Sequence, residues 1–402
     1  MRKQAVTLSP QARILVIKMA GIGDLLLATP ALRALRETYP QARIDLLVTP
    51  DSAGLLDGWE VIDHIIVLDK YLFDYPQQIL KNPRNLLRLT PLWHALHDAR
   101  YDAVLLLHHL TLPFGRMKYQ VLLRSTGAKY RVGLDNGHGW FLNVRVDDDG
   151  FGAMHEAEYN LAVAEAVGAT TDDKRLTVPL SEEHHRQARQ LLYEGKLPAE
   201  IARPIIAMHP GSGGYSTARR WEPARFAQLA DTLFQDAGGQ VLLLGGLEEA
   251  ELHQQINGTM QSSVPARSLA GKGSIKVTAA LLEYVDLFVG NDSALAHLAV
   301  AAGTPAVTIY GLTNHKAWGP YTGGAPNRHA AVVRLDLPCM PCFYRGHELG
   351  LREGCATRDC LALLGVDPVA TVARRMLRAA AGDKGNQTKH NETNNDTYAT
   401  KP

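Results

Sequence analysis

Ile14 to Leu35 reads ILVIKMAGIGDLLLATPALRAL. Ile14-Leu15-Val16-Ile17 is apolar without a break, Gly21-Ile22-Gly23 forms a small-residue turn, and Asp24 opens a stretch with apolar residues at helical spacing. A short, uninterrupted apolar run is the mark of a strand covered on both faces, as in a parallel sheet. The same strand, turn and helix pattern recurs along the chain. Apolar runs follow at Ile44–Val48, Ile65–Leu68 and Val104–Leu107, then at Ile205–Met208, Val241–Leu244, Leu287–Val289 and Ala306–Tyr310. Strands alternating with helices predict an α/β fold with right-handed crossovers. Because the series runs twice, two doubly wound, Rossmann-like domains are expected, residues 1–180 and 205–381. Residues 181–204, with the polar segment SEEHHRQARQLLYEGK, are expected to be a linker carrying one helix. Residues 382–402 are expected to be a disordered tail, because they offer almost nothing to bury. In such sheets ligands sit at the carboxyl ends of the strands, so two domains predict a site in the cleft between them.

Composition narrows the function. The 402 residues are 46% hydrophobic and 21% charged, with a net charge of +1, which excludes a polycationic nucleic-acid binder. No apolar run reaches the ~18 residues of a membrane span, and no secretory signal is evident, so a cytoplasmic protein is expected. All four cysteines lie between residues 339 and 360, too clustered for a disulfide framework. Cys339-x2-Cys342 has the spacing of a zinc ribbon, and Cys355-x4-Cys360 is less regular. The four thiols fit either a structural Zn or Fe site or a reduced cluster in an ordered loop. Residues 81–135 hold nine Lys or Arg against three Asp, including Lys81, Arg84 and Arg88, for a net +6. That excess suits an anionic acceptor or the inner-membrane surface, and equally a set of solvated side chains on separate faces.

Several segments carry candidate chemistry. Gly21 and Gly23 allow close backbone approach, and Asp24 either complements a helix dipole or acts as a general base. Leu26 stands where a dinucleotide fingerprint needs its third glycine, so NAD binding is set aside. A second strand ends in His209-Pro210-Gly211-Ser212-Gly213, a loop that can turn backbone N–H groups toward an anion, followed by Arg219 and Arg220. Glu248 follows another Gly-Gly turn and either holds ribose hydroxyls or begins a helix. Asn291-Asp292-Ser293 precedes a helix, with His297 on the same face as Ser293, either near a ligand or packed on the helix. His155-Glu156 opens a further helix, His108-His109 ends a strand, and Trp318-Gly319-Pro320-Tyr321 is read as a packed loop near the nucleotide.

GIGD, HPGSG with RRW-E-P, and GNDSALAHLAVAAGTPAVTIYG with WGPY together resemble the bacterial ADP-heptose:lipopolysaccharide heptosyltransferases, glycosyltransferase family 9, over about residues 13 to 380. The resemblance implies a GT-B fold, two Rossmann-like domains facing a cleft. It implies an N-terminal domain that takes a lipopolysaccharide core and lipid A acceptor, with Gly21 and Gly23 on that side. The C-terminal domain would take ADP-heptose through His209, Gly211, Ser212, Gly213, Arg219, Glu248, Asn291, Asp292, Ser293 and His297. Asp24 would be the catalytic base of an inverting transfer that requires no cofactor. Arg219 stands where the family often has Lys, and Ala294 and Leu312-Thr313-Asn314 also depart from its pattern. A transferase of the same fold using another nucleotide sugar, or a non-catalytic sugar-nucleotide binder, are the other readings.

Overall fold

A computed structural model describes residues 6–73, 89–194, 201–324 and 329–395. The chain divides into two compact units. The first contains six parallel strands: β1 (Arg13–Ile17), β2 (Arg43–Val48), β3 (His64–Val67), β4 (Ala103–Leu106), β5 (Tyr130–Asp135) and β6 (Val144–Asp147). They lie in the order β3-β2-β1-β4-β5-β6. The second contains β7 (Ile205–His209), β8 (Gln240–Leu243), β9 (Arg267–Ser268), β10 (Leu287–Asn291), β11 (Ala306–Ile309) and β12 (Ala330–Val333), in the order β12-β11-β10-β7-β8-β9. Counted from each unit's first strand, both sheets have the same doubly wound order, with its switch point beside that strand.

Burial explains the central strands. Ile14 to Ile17 of β1 and all five residues of β7 are sealed from solvent, which parallel strands with helices on both faces require. After β1 the chain turns at Gly21 into the short helix Ile22–Leu26 and then the helix Thr29–Thr38, with Pro30 in its first turn. That helix buries Ala31, Leu32, Ala34 and Leu35. These elements place Asp24 at the carboxyl end of the first unit's leading strand.

The expected boundaries change in three places. Leu312–Gly324 and Cys339–Cys355 follow the second sheet in sequence but belong to the first unit. Hydrogen bonds tie them there: Asn314 Nδ2 donates to the Phe151 carbonyl at 2.9 Å and to the Tyr344 carbonyl at 3.2 Å, and Phe151 N donates to the Gly346 carbonyl at 2.7 Å. Gly152 holds φ +84°, and a Cβ there would lie 2.5 Å from Asn314 Nδ2, so the close approach excludes any side chain. The hairpin β13 (Phe343–Arg345) and β14 (Glu348–Gly350) carries Tyr344. The linker's helix, Glu182–Tyr193, belongs to the second unit, where it buries Ala188 and Leu192; residues 195–200 lie outside the described residues. The tail is not irregular from residue 382, because one helix runs from Val366 to Asn395. Its packed turns, with Val369, Ala370 and Ala373 buried, supply the nucleus, and each further residue adds one backbone hydrogen bond. Residues 396–402 lie outside the described residues.

Asn314→Ala removes two donated hydrogen bonds and leaves the buried Phe151 carbonyl unsatisfied. A loss of about 1–3 kcal/mol in unfolding free energy is expected from urea titration.

Candidate active site

In the second unit the loop after β7 is built around a buried carboxylate. Glu249 ends the single turn Leu247–Glu249 after β8 and is 2% exposed. His209, the last residue of β7, bridges Glu249 Oε2 (Nε2, 3.0 Å) and Ser293 Oγ (Nδ1, 2.9 Å). Ser212 N donates to Glu249 Oε1 at 3.2 Å, Gly246 N donates to Oε2 at 3.3 Å, and Arg220 lies 3.5 Å from Oε1. Burial pushes the Glu249 carboxyl up, but the hydrogen bond and charge of His209, the charge of Arg220 and the Gly213 amide outweigh it and hold the group at about 2. The approach is so close that a Cβ on Gly211 would fall 1.7 Å from Glu249 Oε1.

The two arginines differ in attachment. Arg219 donates to the Ser212 carbonyl at 2.7 Å and lies 3.4 Å from Asp292 Oδ2. Asp292 also faces the buried Tyr310, whose hydroxyl is pushed well above its ordinary range by burial and by that charge and hydrogen bond. Asn291 Nδ2 donates to the carbonyls of Pro210 (2.7 Å) and Gly211 (3.1 Å), and its Oδ1 accepts from Trp221 N at 3.0 Å. Ser293 stands at the N-cap of the helix Ala294–Ala301 without capping it by its side chain. Its hydroxyl is instead engaged by His209, which leaves the helix start as a potential anion seat. His297 is buried one turn on, and Glu248 is exposed beside Gly246. The structure therefore gathers His209, Gly211, Ser212, Gly213, Arg219, Asn291, Asp292 and Ser293 at one end of the second sheet. Sequence reasoning missed Glu249; the glycines at 211 and 245 are its available signal, since they make room for the carboxylate.

In the first unit Asp24 is half-buried in the short helix after β1, with Gly21 at its N-cap. The Trp318 indole N–H donates to Asp24 Oδ1 at 3.0 Å. Trp318 therefore does more than pack, and its partner lies 294 positions earlier in the chain. Its ring lies against Tyr344 (centroids 4.1 Å) and Phe151 (5.2 Å). Phe151 in turn rests on His109 at 4.5 Å. His109 is held between Asp148 Oδ2 and Glu156 Oε1, each at 2.9 Å. Burial pushes its pKa down, but the Glu156 charge and the hydrogen bonds to both carboxylates outweigh this and raise it to about 9. His155 caps the helix Glu156–Glu165 by accepting from Ala157 N, and its Nε2 donates to the Gly319 carbonyl at 2.9 Å. His108 stacks on Tyr119, and burial, with the charges of Lys18 and Lys70, holds its pKa well below the usual value.

The cysteines do not form a four-thiol site. Cys339, Cys342 and Cys355 belong to the first unit, while Cys360 is buried in the second. Burial and the neighbouring Cys339 and Cys355 raise the Cys342 thiol. Among the described residues no group of three or more His, Cys, Asp or Glu could hold a metal ion. Of the basic segment, Lys81, Arg84 and Arg88 lie outside the described residues.

Two Rossmann-like α/β units in one chain define the GT-B class of glycosyltransferases. The model of the family described as "Glycosyltransferase family 9 (heptosyltransferase)" matches residues 89–351, and the chain belongs to that family. The chain is 26% identical over 313 residues to "Lipopolysaccharide heptosyltransferase 3" of Escherichia coli, covering 75% of this chain and 84% of the relative. It is 27% identical over 330 residues to "Lipopolysaccharide heptosyltransferase 2" of Escherichia coli strain K12, covering 80% and 88%. The crystal structure of the Escherichia coli ADP-heptose lps heptosyltransferase II shares the fold, with a TM-score of 0.63, 22% identity, and coverage of 91% of this chain and 98% of that one.

The His109 imidazolium stabilises the folded state fully below its ordinary value of 6.5, and that contribution is lost as pH rises through about 9. The thermal midpoint should therefore fall across that window, and His109→Gln should flatten the fall; calorimetry at stepped pH checks this.

Proposed function

We propose that the chain transfers heptose from ADP-heptose to an inner-core acceptor of lipopolysaccharide, with inversion at the anomeric carbon. The observation that carries this reading is the seat around Glu249. His209 joins the glycine loop to the uncapped start of the helix Ala294–Ala301, and Arg219 is fixed beside both. An open helix start and a guanidinium suit a leaving diphosphate, whose negative charge grows as the glycosidic C–O bond breaks. Glu248, exposed beside the same turn, is suited to ribose hydroxyls, and His297 lines the helix behind Ser293.

The first unit supplies the base and takes the acceptor. Asp24 accepts the proton of the acceptor hydroxyl while its oxygen attacks the anomeric carbon. ADP departs with the electron pair of the broken bond, and one displacement gives inversion. Gly21 and Gly23 keep the backbone around the acid low for a bulky acceptor. The charge development is met by protein groups, so no metal or other cofactor is required. Relatives named for lipopolysaccharide heptose transfer support the sugar and the acceptor class.

The acceptor's lipid places the reaction at the cytoplasmic surface of the inner membrane. The helix Pro113–Ser125 supports a contact there: Met117 and Val121 are each 50% exposed one turn apart, with exposed Arg124 one further turn along. The Arg124 guanidinium lies 5.1 Å from the ring of Trp140, which is 60% exposed. Apolar and cationic groups on one face match an anionic lipid surface.

Asp24→Asn should leave folding and ADP affinity intact and reduce transfer on the order of 100-fold or more, measured with ADP-heptose and heptose-deficient lipopolysaccharide. EDTA should leave the wild-type rate standing, and strict dependence on added Mg²⁺ would contradict the seat made by the helix start and Arg219. Sedimentation with anionic vesicles should retain the protein at low salt and release it at high salt; Val121→Glu with Arg124→Glu should abolish retention, and neutral vesicles should not bind.

A further inference from the structure

We infer that Trp318 is a positioning residue for transfer: its indole N–H holds one oxygen of the Asp24 carboxylate so that the other faces the acceptor hydroxyl. This rests on the reading of Asp24 as the base. Among the described residues the 3.0 Å bond from Trp318 is the one hydrogen bond to the Asp24 side chain, and it engages Oδ1 alone. The terminal torsion of an aspartate is broad and nearly two-fold, so a carboxylate without such a tether samples many orientations. An indole N–H can only donate, which makes it a one-way constraint on the acid.

The indole is itself fixed. Its ring lies against Tyr344 and Phe151. Its short helix, His315–Trp318, starts at Asn314, whose side chain caps it by accepting from Lys316 N at 3.1 Å and also donates to the Phe151 and Tyr344 carbonyls. The next residue, Gly319, is gripped at its carbonyl by His155. Trp221 offers a contrast: its indole N–H goes to the Leu364 carbonyl at 2.9 Å, a purely structural bond. Trp318 directs the same donor at the one acid proposed to move a proton. A group acting through another need not touch substrate, and its effect falls on turnover rather than on binding.

The test compares Trp318→Phe, Asp24→Asn and the double variant. Phenylalanine keeps a six-membered ring in the stack and removes the donor. Trp318→Phe should lower kcat about ten- to hundredfold, with KM for ADP-heptose and the thermal midpoint unchanged. In the Asp24→Asn background the same change should cost less than about twofold, since the two residues act as a unit. Phe151→Leu loosens the stack but keeps the N–H, so it should lower kcat less than Trp318→Phe does. Undiminished kcat in Trp318→Phe, or an equal loss with and without Asp24, would overturn the proposal and leave Trp318 as packing. Wild-type turnover in Asp24→Asn would instead overturn the base reading on which it rests.

Discussion

The second unit is organised by a charge that cannot reach water. Moving a carboxylate into a protein interior costs several kcal/mol unless donors and opposite charge answer it. Glu249 is answered by His209, Arg220 and the amides of Ser212 and Gly246. Those partners come from two segments, so satisfying one carboxylate fixes the glycine loop and the turn after β8 and, through the bond from His209 to Ser293, the start of a helix. The arrangement also fixes composition: glycine at 211 and 245 follows from the space Glu249 occupies, because any Cβ there would collide with it.

The first unit uses the inverse device. Its buried charge is an imidazolium, and two carboxylates answer it. Asp148 and Glu156 flank the loop that bears Phe151, so holding His109 also holds the ring against which Trp318 rests. The placing of the Asp24 carboxylate thus depends on a polar cluster with no direct contact to it, and on a segment that returns to this unit from beyond the second sheet. Preorganisation of this kind is what the proposed base would need in order to act without reorienting.

The central strands were legible because a doubly covered strand leaves an unbroken apolar run. β1, β4, β7 and β10 are of this kind, and the glycine turns after β1 and β7 stood out with them. β5 and β6 carry no such run. They are YRVGLD and VRVD, and β6 alternates half-buried and exposed residues because it closes an edge of the sheet. β9 is two residues long and carries no periodicity. The acid at 24 and the 209–220 loop were legible from strand-turn-helix spacing alone, since such a turn needs small residues and a helix start wherever it occurs.

The sequence by itself determined the α/β class, the two repeats and the placing of Asp24 and the 209–220 loop at strand ends, because apolar periodicity and turn chemistry act over a few residues. Only the tertiary structure decided that Glu249 and not Glu248 is sealed beneath the glycine loop. It alone returned Leu312–Gly324 and Cys339–Cys355 to the first unit, assigned Cys360 to the second, and set Trp318 on Asp24. Those outcomes depend on hydrogen bonds between segments up to 294 residues apart, and a donor buried by packing takes whichever acceptor the fold brings within reach.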